Sequence, residues 1–290
     1  MKILVSTDTS CLLNYDSLNK YNIRVFPLNV IIDGEEYLDG VNIKQDFLLE
    51  KMLGNKIIKT STPPLGEVIS YFEKIFEEGY DEVIHFTISS KLSSMYNLFS
   101  SVSENYFDNK IKVIDALSVS SAMLSSVFYA YDAVQNNVPT EEIIKVLEQR
   151  KSDYHLFFIP ENLTALKNGG RISPAVAAIG NTIGLKPVIQ LKDGELVKSG
   201  MTLNVKKAFK DKLESLLEKY SQEQYDFTLV EFGSDPTARS KILPLLHEKI
   251  GEDKLITGFL PINVSAHTGP GTIGLVVSPK INNVSLKNYL

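Results

Sequence analysis

Hydroxyl side chains recur where elements begin or end: Thr60-Ser61-Thr62 ahead of two prolines, Ser89, Ser90, Ser93 and Ser94 around Lys91-Leu92, then Ser118, Ser120 and Ser121. A further group is His267-Thr268, inside residues 259–274, FLPINVSAHTGPGTIG, where glycine and proline are expected to fix a tight backbone loop that presents them. Together they form a set of neutral hydrogen-bond donors. Such a set suits an anionic head group like a carboxylate, held without a full counter-charge. Each bond to an ionised acceptor contributes roughly 1.5–3 kcal/mol. Burial of an apolar tail would add roughly 0.8 kcal/mol per methylene. Each group also has a plainer reading. Hydroxyls cap helices, and His267 can be a core imidazole with a backbone partner. A third reading pairs Ser93 with His267 as nucleophile and base, because such pairs meet in space and not in sequence.

Other chemistries are excluded more firmly. Gly269-Pro270-Gly271-Thr272-Ile273-Gly274 spells the dinucleotide pattern GxGxxG, but it runs into the strand-like Leu275-Val276-Val277, and no acidic residue follows it. A dinucleotide site needs a helix after the glycines and an acidic residue about 20 positions on. There is no Gly-x-Ser-x-Gly elbow, Walker loop or His-Glu-x-x-His. The histidines, 85, 155, 247 and 267, lack ligand spacing, so no metal site is expected. The single cysteine, Cys11, permits no intrachain disulfide and fits a reducing compartment. A net charge of −5 gives no basic footprint for nucleic acid. The apolar run Ile3-Leu4-Val5 is too short for a signal segment or membrane span, so a cytoplasmic protein is expected.

The elements that must position these groups read as two α/β domains, 1–153 and 154–290. Strands are expected at 2–6, 23–32, 82–88 and 112–115. Between them lie helices at 42–53, 65–78, one opened by residues 89–96, one running to Gln135, and 141–151. Strand–helix alternation implies a doubly wound parallel sheet. The polar turn after residue 6 stands where open α/β sheets place ligands, although Asp8 or Ser10 would equally cap a helix. Asn42 to Gln45 resembles a capping box, and Thr140 a helix cap. In the second half, strands are expected at 154–160, 186–191, 195–198, 225–232, 255–261 and 272–278. Helices are expected at 162–168, 175–183, 205–220 and 236–250. Asp193-Gly194 is a hairpin turn, and hairpins with interspersed helices point to a mixed or antiparallel sheet there, while Asp33-Gly34 marks a hairpin in the first half with 35–38 as its return. The last dozen residues read as a polar tail, and Met123, Phe128 and Ile179 as residues that shape a pocket.

These segments, in this order, resemble the DegV family of bacterial two-domain fatty-acid-binding proteins, which includes the carrier subunit of bacterial fatty acid kinase. The resemblance spans roughly residues 2 to 278. It rests on Thr7-Asp8, Lys59-Thr60-Ser61, Ser89-Ser90-Lys91-Leu92-Ser93 with Tyr96, Val113-Ile114-Asp115, Leu166 to Ile172 (LKNGGRI), Lys186-Pro187 and His267 to Gly271 (HTGPG). It implies a long-chain fatty acid held between the domains. The carboxylate would meet Thr60 or Ser61 and Ser93, with Ser94 nearby and His267 and Thr268 completing the network. It implies no catalytic residue, no cofactor besides the bound lipid, at most transient membrane contact, and a separate kinase subunit that phosphorylates the lipid. Gly170 and Arg171 would support or dock at the Gly-Gly turn; the alternative for Arg171 is a surface salt bridge. One departure stands out. Members often carry arginine shortly before Lys206-Lys207-Ala208, where this chain has Leu203.

Overall fold

The computed structural model describes residues 1–11, 13, 18–172 and 184–290. The helix expected at 175–183, with Ile179, lies outside the described residues. Strands β1 (Ile3–Asp8), β2 (Arg24–Phe26), β6 (Glu82–Thr87) and β7 (Ile111–Asp115) form a parallel sheet in the order β2-β1-β6-β7. The apolar run at 23–32 is not one strand. Pro27 offers no amide to a ladder, and the chain breaks there. It resumes as β3 (Asn29–Ile32), which pairs antiparallel with β4 (Glu35–Leu38) and with β5 (Ile58–Ser61). Thr60 and Ser61 therefore end a strand. The helix they were expected to open, α2 (Leu65–Glu77), starts beyond the prolines.

The second half builds a six-stranded mixed sheet. Its strands are β8 (His155–Ile159), β9 (Lys186–Lys192), β10 (Glu195–Thr202), β11 (Tyr225–Phe232), β12 (Ile256–Phe259) and β13 (Thr272–Pro279). Their order is β10-β9-β8-β13-β11-β12, antiparallel throughout except for the β11–β12 pair. Strand alternation divides the packing. Leu156 and Phe158 join a core shared with the first half. Phe157 and Ile159 face the outer core against α7 (Val205–Lys219) and α8 (Pro236–Ile250), with Phe209, Leu213 and Ile242.

Helices α1 (Gln45–Leu53), α3 (Met95–Tyr106), α4 (Ser120–Gln135), α5 (Thr140–Arg150) and α6 (Thr164–Gly169) complete the layers with a short α9 (Ile262–Thr268). Helix α4 packs against β1 on one side and β13 on the other. Ser121, Ala122, Ser125 and Ala130 are buried on it. Its small residues thus let two sheets approach one helix. Met123 and Phe128 are fully buried in that packing and line no part of the large cavity at the serine loop. Two caps differ from expectation. Asn42 Oδ1 accepts the Leu38 amide at 2.7 Å, leaving Lys44 at the N-cap of α1. Thr140 Oγ1 donates to the Glu82 carboxylate, and Pro139 is the N-cap of α5.

The chain's end is not a loose tail. Asp226 accepts from Ser285 Oγ and the Leu286 amide, both at 2.7 Å, and Leu286 is fully buried. Tyr289 packs its ring 4.6 Å from Phe128, and its hydroxyl donates to Asp132 at 2.5 Å. A hydrogen bond to a charged acceptor contributes roughly 1.5–3 kcal/mol when buried and less at a partly wet site. Tyr289→Phe is therefore expected to lower the melting temperature by about 2–4 °C. An unchanged melting curve would mean that the ring alone holds the end in place.

Candidate functional site

Two aspartates at strand ends set the geometry of the serine loop. Asp8, buried at the end of β1, accepts the Ser10 and Ile88 amides, each at 2.8 Å. Burial raises its carboxyl to about 6, against the pull of those amides. Asp115, ending β7, accepts the Ser90 amide at 3.0 Å and the Leu117 amide at 3.1 Å. The loop from Ile88 to Ser94 is thus strapped from both neighbouring strands. Ser89 donates to the Gly194 carbonyl at 2.8 Å, docking the β9–β10 turn on the loop. Gly194 has φ +81°, and a Cβ there would lie 2.6 Å from Ser89 Oγ, so both conformation and space require glycine.

Beyond this loop lies a cavity of about 940 Å³ of empty space, its open mouth included. Thr60, Ser61, Ser93, Arg171, His267 and Thr268 line it. Six of the sequence-derived candidates therefore converge from distant segments of the chain. Ser94 and Gly170 do not reach the wall. Ser94 is the exposed N-cap of α3, and Gly170 takes the left-handed conformation, φ +67°, that ends α6. Ser118, Ser120 and Ser121 are buried and do not line the cavity. Most of the remaining wall is apolar, with Ile88, Met95, Leu156, Phe158, Leu191 and Val230 among its side chains.

His267 is not on an open loop. It sits in the last turn of α9, whose capping glycine, Gly269, leads through Gly271 into β13. The imidazole Nε2 lies 2.8 Å from Thr60 Oγ1, joining the first and second halves of the chain. Burial, then the nearby Arg171 charge, hold His267 down to about 4, so the ring is neutral at physiological pH. Thr268 Oγ1 is buried with no hydrogen-bond partner among the described residues. Ser93 keeps its hydroxyl free of protein partners among the described residues.

Arg171 changes the chemistry read from the sequence. Its Nη1 donates to the Gly169 carbonyl at 2.6 Å and its Nε to the Leu92 carbonyl at 3.3 Å. It forms no ion pair among the described residues. The polar end of the cavity is therefore not wholly neutral, because a guanidinium stands beside hydroxyls and a neutral imidazole. Such an end can hold one anionic group, while the apolar wall takes a chain.

Two lining residues escape a reading of the sequence. Asn263, on α9, donates through Nδ2 to Ser10 Oγ at 2.6 Å, and its amide donates to Asp39 at 3.1 Å. Asn29, paired with Ser61 across the ladder, is buried with its Oδ1 unpartnered among the described residues. Asn29 lies in no hydroxyl cluster or glycine motif, and Asn263, although inside 259–274, is neither a hydroxyl nor a glycine, so three-dimensional pairing marks them both. Leu203, at the departure from the family pattern, is 77% exposed and outside the cavity. Among the described residues no helix is long and apolar enough to cross a membrane, and no group of acidic, His or Cys side chains could hold a metal ion.

The model of the DegV family, a family it describes as uncharacterised, matches residues 2–280. A DegV domain-containing protein of Staphylococcus aureus is 31% identical over 288 residues, covering 96% of this chain and 99% of the relative. A fatty-acid-binding DegV family protein from Thermus thermophilus superposes with a TM-score of 0.86 at 25% identity, over 96% of this chain and 100% of that one. A stearic-acid-binding protein from Eubacterium ventriosum does so with a TM-score of 0.84 at 26% identity, over 98% and 100%.

Proposed function

The chain belongs to the DegV family, and from that premise we propose that it binds a long-chain fatty acid between an N-terminal domain, 1–153, and a C-terminal domain, 154–290. The observation that carries the reading is the convergence of Thr60, Ser93, Arg171 and His267 on a cavity whose wall is otherwise mostly apolar. The carboxylate meets Thr60, Ser93 and Arg171, with Ser61 and Thr268 beside them and His267 behind Thr60. The hydrocarbon lies along Ile88, Phe158, Leu191 and Val230. Fatty acid binding by the Thermus and Eubacterium proteins supports the same ligand class here. On this reading the chain is a cytoplasmic carrier and not the catalyst. A separate fatty acid kinase subunit converts the bound lipid to an acyl phosphate, a step inferred from the family resemblance. Leu203 in place of arginine then alters the surface such a partner would meet.

A Ser93–His267 hydrolase is disfavoured by the state of the imidazole. Its Nε2 is engaged by Thr60, and its basicity is lowered to about 4, well below that of a useful general base near neutral pH. Ser93→Ala separates the readings. The carrier predicts about tenfold weaker binding of palmitate, from one lost bond to a charged acceptor. It also predicts that p-nitrophenyl palmitate is not turned over by either protein. Ester turnover that disappears in Ser93→Ala, with palmitate binding unchanged, would reverse the assignment.

A further inference from the structure

His267 is held by a residue with no side chain. Gly169, the last residue of α6, faces the imidazole across the α6–α9 contact. A Cβ at Gly169 would stand 2.1 Å from His267 Nδ1, 2.9 Å from Cε1 and 3.2 Å from Cγ. Its backbone is not in the left-handed region, unlike that of Gly170 at φ +67°. The two glycines of the turn therefore serve different ends. Gly170 supplies a conformation, and Gly169 supplies room for a ring.

The direction of that approach bears on the proton. In glycine a Cα–H lies along the bond that a Cβ would occupy, so its hydrogen points at Nδ1. A lone pair on Nδ1 accepts such a contact as a weak C–H hydrogen bond. An N–H there would set hydrogen against hydrogen. It would also be a buried donor without an acceptor, since Nδ1 has no partner among the described residues. The adjacent Gly169 carbonyl accepts from Arg171 Nη1 at 2.6 Å and makes no bond to Nδ1. A neutral imidazole carries one proton on one of two nitrogens.

We infer that Gly169 is a positioning residue that fixes the tautomer of His267: Nδ1 carries the lone pair, Nε2–H donates to Thr60 Oγ1, and the Thr60 hydroxyl proton is thereby turned toward the ligand. The 2.8 Å contact is then a relay with a direction. Were Nδ1 protonated, Thr60 would spend its proton on Nε2 and could only accept from the ligand, and a carboxylate would find no donor there. The ligand end of this chain rests on the fatty-acid reading. The tautomer is a property of the protein alone.

The test reads both separately. In the ¹⁵N-labelled full-length protein near pH 7, with the His267 signals assigned by their loss in His267→Asn, Nδ1 is expected to be pyridine-like and Nε2 pyrrole-like. The opposite pattern overturns the inference. Gly169→Ala should shift these signals and weaken palmitate and oleate binding about tenfold or more. In a His267→Ala background, where the ring is gone, the same substitution should cost less than about twofold. An equal loss in both backgrounds would mean that Gly169 acts on the fold and not through His267. If Gly169→Ala does not fold, the tautomer of the native protein decides. If the native protein binds neither lipid, the fatty-acid reading fails while the nitrogen spectrum still judges the tautomer.

Discussion

His267→Ala is expected to weaken fatty-acid binding by roughly ten- to a hundredfold without abolishing it. The substitution removes the partner that orients the Thr60 hydroxyl, 2.8 Å away. A hydrogen bond to an ionised acceptor contributes roughly 1.5–3 kcal/mol, which sets that range. The hydrocarbon contributes more. At roughly 0.8 kcal/mol per methylene, even a partly buried chain outweighs any one head-group bond. Retention thus survives, while the geometry of the carboxylate does not. Thr60→Val should give a loss of similar size. Because the two side chains act as one relay, the double variant should lose less than the product of the single effects. Titration of delipidated protein with palmitate measures all three. Full additivity would mean that His267 and Thr60 contact the ligand independently.

Acid should destabilise the folded chain by about 3 kcal/mol between pH 7 and pH 5, a large part of the 5–15 kcal/mol typical of a domain. Burial lowers His85 from its ordinary 6.5 to about 3, and His267 from 6.5 to about 4. Each therefore stays neutral when folded and takes a proton when unfolded. The stability they contribute is present above about 6.5 and is lost as pH falls below it. At pH 5 this amounts to about 2 kcal/mol for each. His155, lowered to about 4, acts in the same direction from a half-buried position. Asp8 opposes them. Its folded carboxyl is raised from 3.8 to about 6, so its contribution is full in acid and lost as pH rises through 6. Acidification returns about 1 kcal/mol from Asp8, too little to offset the histidines. Urea unfolding at the two pH values measures the difference. Equal midpoints, or a higher midpoint at pH 5, would show that the imidazoles are not held neutral by the fold. His85→Phe should remove part of the slope, because that ring already stacks on Phe99 at 4.4 Å.

Much of this architecture is legible in the amino-acid sequence, for identifiable reasons. The strand at Tyr225–Phe232 is a mostly apolar run stopped by Gly233, the helix at Pro236–Ile250 follows a capping Asp235, and the structure gives those same bounds. Where a local signal competes with long-range pairing, the local signal misleads. Thr60 and Ser61 look like a helix start because two prolines follow, yet β3 recruits them into a sheet. His267 looks like part of a loop because glycines follow, yet Ile262–Thr268 forms a helix over α6. The polar residues of the C-terminus hide Leu286 and Tyr289, whose partners Asp226 and Asp132 lie far back in the chain. The same limit applies at the cavity. Hydroxyl clusters point to Thr60, Ser93 and His267, but nothing local shows that Arg171 brings a charge to the same wall. Nor does anything local show that Gly169 is small because an imidazole from residue 267 needs the space.

Native mass spectrometry of the purified protein, followed by solvent extraction of whatever it carries, tests the central claim most directly. The account predicts an adduct whose extract is a long-chain fatty acid, retained by the native protein and depleted in the Ser93→Ala/His267→Ala double variant. A clean apo mass that stays apo after incubation with palmitate, stearate and oleate would contradict it.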